Sequence, residues 1–97
     1  MPRSSVEAMY GPLGDELARR AAAGERRVVL SFAQIAVGIL GRPLPPAARA
    51  PHSARAWWRG GGDQPHAWYG WLRAGWHVAA VSLAEETVTF ARPDDDE

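Results

Sequence analysis

The chain has 97 residues, no cysteine and a formal net charge of zero. That is the length of one domain, able to bury roughly 60–65% of its unfolded surface in one modest core. The composition excludes a disulfide framework and a thiolate metal site; no apolar run approaches the ~18 residues of a membrane span; and residues 1–14 lack the apolar stretch of a signal peptide, so a cytoplasmic protein is expected.

The neutral total hides a segregation of charge. All eleven basic residues are arginine, and four of the eleven acids sit in the tail Asp94–Glu97. Between Arg26 and Arg73 seven arginines face only Asp63, a local excess of six positive charges. Such an excess suits an anionic partner and also occurs on ordinary solvated surfaces. All five tryptophans fall between Trp57 and Trp76, so the core or a binding face is built around them.

In chain order, residues 1–9 read as a flexible N-terminus, and residues 10–93 as a single α+β domain. Tyr10-Gly-Pro-Leu13 opens a helix placed near 12–23, with Leu13 and Leu17 on one face. Arg19 and Arg20 lie where the helix dipole favours cations. Gly24 stops it. Arg26 to Ser31 reads as a strand around Val28, Val29 and Leu30. Ser31-Phe-Ala-Gln34 is a capping box. It opens a helix whose Phe32, Ile35, Ala36, Ile39 and Leu40 form one apolar stripe. Gly41 ends that helix, and Pro43 prevents its continuation.

Ala47 to Ala50 can make one helical turn with Pro45 or Pro46 in its first turn. Ala54 to Trp58 reads as extended, which points Trp57 and Trp58 to opposite faces. Gly60-Gly-Gly62 is a loop. Asp63 is placed as the N-cap of a helix over 64–74 that ends at Gly75. On it Trp68, Trp71 and Leu72 share an inner face, and His66, Tyr69 and Arg73 the outer one. Trp76–Leu83 and Thr87–Arg92 form a hairpin turning at Ala84-Glu85-Glu86, with an irregularity where Val78 and Val81 break alternation. The tail 94–97 is expected to be acidic and disordered.

These elements predict a small antiparallel sheet, one strand plus the C-terminal hairpin, packed against three helices. The expected core is Leu13, Leu17, Val28, Leu30, Phe32, Ile35, Ile39, Leu40, Trp68, Leu72, Trp76, Val78, Val88 and Phe90.

Several stretches together form a recognisable pattern. Ser31-Phe-x-x-Ile35-x-x-x-Ile39-Leu-Gly-x-Pro-Leu-Pro45, Trp57-Trp58, His66, Trp71-x-x-Ala-Gly-Trp76-x-Val78 and Val88-x-Phe90-x-Arg92 resemble a widespread, uncharacterised family of short bacterial domains. The resemblance spans roughly residues 10–92. It implies a fold and no activity. The chain departs from the family pattern at Gly60–Tyr69.

No catalytic constellation is legible. His52, His66, His77, Asp63 and Glu85 fall into no metal-ligand spacing, nucleophile elbow or phosphate loop. No enzyme, metal or cofactor is expected. Strand, capped helix, sharp turn, short second segment and later hairpin follow the order of a winged helix, where the second helix enters a DNA groove and the hairpin is the wing. The leading expectation is therefore a small nucleic-acid-binding protein, for DNA or RNA. Its phosphate contacts would be Arg42, Arg49, Arg55, Arg59 and Arg73, extended by Tyr69. The alternative is a protein-interaction module, a homodimer or an inhibitor or adaptor of a partner, anchored by Trp58 and His66.

Overall fold

The computed structural model describes residues 5–60 and 64–93. The Asp63 N-cap, most of the glycine loop, the acidic tail and the first four residues lie outside them. The element order is α1 (Ser5–Ala22), β1 (Arg27–Ser31), a helix entered at Phe32 that becomes the π-helical π1 (Gln34–Leu40), α2 (Pro46–Arg49), α3 (Ala54–Arg59), α4 (Pro65–Ala67) running into π2 (Trp68–Leu72), and the hairpin β2 (His77–Ser82) and β3 (Thr87–Ala91). This is an α+β fold with the expected antiparallel sheet. The strand order is β1-β3-β2, with Val28 opposite Phe90 and Leu30 opposite Val88. The irregularity in β2 is a register shift between Val78 and Ala80.

Local chemistry accounts for the clearest boundaries. The Ser31 amide donates to Gln34 Oε1 at 2.7 Å, and the Gln34 amide donates to Ser31 Oγ at 3.0 Å. That reciprocal pair is the capping box. Gly41 closes π1 at φ 71°, a left-handed conformation that glycine adopts without steric cost.

Three stretches differ from the sequence reading. The first helix begins at Ser5 rather than 12 and runs through Pro12. A proline inside a helix forfeits one hydrogen bond; burial of Tyr10, Leu13 and Leu17 along the same face offsets that loss. Residues 54–58 are helical, not extended. In α3 Ala54 and Trp58, four apart, face the core together, and the alanines and arginines around them are good helix formers. The third helix turns more widely than an α-helix. The four-residue stripe that put Trp68 inside therefore does not hold. Ala67, Gly70 and Trp71 are buried, whereas Trp68 is 44% exposed.

The core lies between the sheet, α1 and the short helices. Leu13, Leu17, Val28, Leu30, Phe32, Ile35, Trp76, Val88 and Phe90 are buried in it as expected. Ile39, Leu40, Leu72 and Val78 pack against its edge. It also takes Trp58, Trp71, Leu44 and three alanines of the short helices. α1 approaches π2 so closely that a side chain at Gly14 would strike the Tyr69 carbonyl. The indole of Trp76 donates to Leu17 O at 2.9 Å, tying the hairpin to α1.

Candidate functional site

The short helix α3 places the tryptophans and arginines of greatest interest. Its six residues direct Ala54 and Trp58 inward, leave Arg55, Ala56 and Arg59 exposed, and hold Trp57 half-buried between. The 3.6-residue turn produces that partition.

Trp58 cannot be the surface anchor that the sequence suggested. It is 0% exposed, and its indole N–H donates to Ala48 O at 2.9 Å. It stacks with Phe32 at 5.9 Å between ring centroids and leans on Trp71 at 5.5 Å. Trp57 is the accessible indole of the pair. His66 lies flat on it, with centroids 4.2 Å apart and planes 14° apart. His66 Nε2 is 2.9 Å from Trp57 O. A carbonyl only accepts, so Nε2 carries the hydrogen, and Nδ1 of the neutral ring is left as an acceptor. Tyr10 packs beside both rings at 5.9 Å. Burial pushes the Tyr10 phenol above its usual pKa, and Arg42 partly opposes that rise.

Two depressions adjoin α3. One is a groove of ≈ 270 Å³ between Arg55 and Arg59 and the β2 segment Val78–Val81. The other is an open hollow of ≈ 400 Å³ lined by Ala47, Ser53, Ala56, Trp57, Gln64, Pro65 and His66.

The five arginines expected to share a face do not all gather in one place. Arg55 and Arg59 line one groove, and neither makes an ion pair among the described residues. Arg49 pairs with Glu86 at 3.2 Å, beside a different, apolar depression formed by Phe32, Val37 and Leu44. Arg42 adjoins Val37 and Pro43. Arg73 reaches Glu7 at 3.8 Å and stands over the Tyr69 ring at 5.5 Å. Tyr69 is thereby engaged with its neighbour on the same helix. The segment corresponding to a reading helix, 43–55, holds the single turn α2 and only the first two residues of α3, too short a helix to lie along a groove of DNA.

Among the described residues, no three His, Asp or Glu side chains gather to hold a metal ion. No helix among them is long and apolar enough to cross a membrane. Trp71 Nε1 is buried with no hydrogen-bond partner among the described residues.

Sequence reading missed the position of Trp57 because it took residues 54–58 as extended. The spacing of Ala54 and Trp58, with helix-forming residues between, was the available signal.

A family model described as a domain of unknown function (DUF7662) matches residues 10–93, and the chain belongs to that family. No curated protein and no solved structure matches it.

Proposed function

We propose that the protein is a small cytoplasmic nucleic-acid-binding domain whose phosphate contacts centre on Arg55 and Arg59. One observation carries this reading. Two exposed arginines one helical turn apart line a single groove, with no carboxylate paired to either among the described residues. Guanidinium is planar, permanently charged and suited to bidentate contact with phosphate. Arg42 is a further candidate, having no ion pair among the described residues. Arg49 and Arg73 join only by giving up Glu86 and Glu7. Contacts of this kind position a nucleic acid and carry no sequence information.

The groove also borders the outer strand β2, where an added peptide strand is the competing occupant. The register shift at Val78/Ala80 distorts that edge, and bulges of this sort work against strand addition.

The test is fluorescence anisotropy with labelled single-stranded and duplex DNA and RNA, at low and at physiological salt. Expected is binding whose logarithm falls with log salt by about 0.9 per duplex phosphate contacted, or about 0.7 per single-strand phosphate. Arg55→Ala and Arg59→Ala should each weaken it. Absence of binding to all four at low salt would overturn the proposal.

The protein-interaction reading keeps one specific support. Trp68 is 44% exposed, and exposed indoles are common interface anchors. Concentration-dependent mass by light scattering, lost in Trp68→Ala, would favour a homodimer.

A further inference from the structure

We propose that the ligand is single-stranded, and that α3 holds it by two adjoining sites: phosphates on Arg55 and Arg59, and an unpaired base in the Trp57–His66 hollow. The inference rests on the phosphate-binding reading and adds the class of nucleic acid to it.

At 100° per residue, Ala56 lies between the arginines and Trp57 on the exposed arc of α3. The groove of Arg55 and Arg59 borders one side of that arc, and the hollow, which Ala56 itself lines, borders the other. Ala56, with its small side chain, lies between them on that arc. A chain running across α3 therefore passes from a pair of cations to an aromatic recess without crossing a bulky side chain.

The chemistry of the hollow matches a nucleobase. Its volume of ≈ 400 Å³ falls within the roughly 300–1,000 Å³ of sites that take small molecules. Trp57 and His66 are stacked on each other, so the hollow meets the edges of two half-buried aromatic rings. Exposed Gln64 presents an amide that both donates and accepts, with no side-chain partner among the described residues. The acceptor Nδ1 of His66 adds a further polar atom. Base-sized planar ligands with hydrogen-bonding edges use this combination. In a duplex the bases are stacked and paired, so they cannot enter a side recess. Single strands combine a backbone-tracking positive groove with aromatic contacts to successive bases.

The experiment compares three labelled probes of equal length: a mixed-sequence single strand, the same strand with a run of abasic sites, and the corresponding duplex. Expected is binding of the intact single strand roughly tenfold tighter than of either other probe, near the lower end of what one base–aromatic contact contributes. Ala56→Glu blocks the passage between the two sites. It should remove that preference. Gln64→Ala should narrow it. Trp57→Phe retains an aromatic ring for folding, while its loss identifies the Trp57 indole NMR signal. That signal should move with the intact strand and stay still with the abasic one. If all three probes bind equally and binding depends on Arg55 and Arg59, the base site is wrong and the phosphate site stands. Tighter binding of the duplex would overturn the inference in the same way. If none binds at low salt, the functional proposal fails, and this inference fails with it.

Discussion

Two helices of this protein carry neighbouring arginines, and their surroundings differ. Near the end of α1, Arg19 and Arg20 both close on Glu16, with Arg20 Nε 2.8 Å from the carboxylate, and Arg20 also reaches Glu25 at 3.4 Å. On α3, Arg55 and Arg59 have no such partner among the described residues. The close pairing on α1 also shifts proton affinity there. The hydrogen bonds from Arg19, then Arg20, hold the Glu16 carboxyl below its usual pKa, and Glu16 in turn raises both guanidinium values. A count of arginines therefore says little about binding. Where the carboxylates fall decides which cations remain available to a ligand.

The most severe way to break the comparison is to delete each pair. Arg55→Ala/Arg59→Ala should weaken nucleic-acid binding roughly tenfold or more per guanidinium removed, the worth of a charged hydrogen bond. It should also flatten the salt dependence by about one unit of slope per residue. Arg19→Ala/Arg20→Ala should leave affinity within about twofold, since those charges are already matched within the helix. Equal losses from both pairs would erase the distinction. Anisotropy across a salt series measures both.

A smaller effect should follow from making α3 resemble α1. Ala56→Glu places a carboxylate three residues before Arg59, the spacing by which Glu16 engages Arg19. Affinity for a duplex probe, which has no base to lose, should fall roughly threefold through partial neutralisation. An unchanged affinity would show that Arg59 makes no phosphate contact.

The smallest expected effects concern stability. Glu16→Gln removes the negative charge of a partly exposed cluster and should cost about 0.5 kcal/mol or less in denaturant unfolding. The pH dependence has a definite sign. A carboxyl with a lowered pKa in the folded state stabilises above its unfolded value, and that contribution disappears as pH falls through the folded value. Thermal unfolding midpoints should therefore drop on acidification below about pH 4 more in the native sequence than in Glu16→Gln. Parallel curves would mean that the cluster contributes nothing to folding.

The same contrast explains which parts of the chain were legible. The sheet, the capping box and the stop at Gly41 rest on local chemistry: two-residue alternation, one reciprocal hydrogen-bond pair, and one left-handed glycine. Each signal lies within a few residues of the element it defines. Between Ala54 and Leu72 the helices are short, and their boundaries depend on what they pack against. Trp57 and Trp58 gave no alternation to settle strand against helix, and their roles exchanged when the backbone proved helical. The π-helical turn moved Trp68 outward and left Trp71 inside, a change that a 3.6-residue stripe cannot anticipate. The arginines were read as a set because they share a charge. Their separation follows from Glu7 and Glu86, which lie far away in sequence.

The hydrogen bond from Trp76 to Leu17 spans 59 residues. During synthesis α1 is made first, but the indole that fastens it is made in the last quarter of the chain. Until then α1 has π1, α4 and π2 to pack against but lacks the Trp76 indole and the hairpin. A nascent chain stalled before Trp76 would thus hold α1 and its helical neighbours without the indole that fastens them and without the hairpin that completes the core, a species open to chaperone capture or aggregation. The contacts that complete the core thus join the two ends of the domain, and pairings of such long sequence separation slow folding in general.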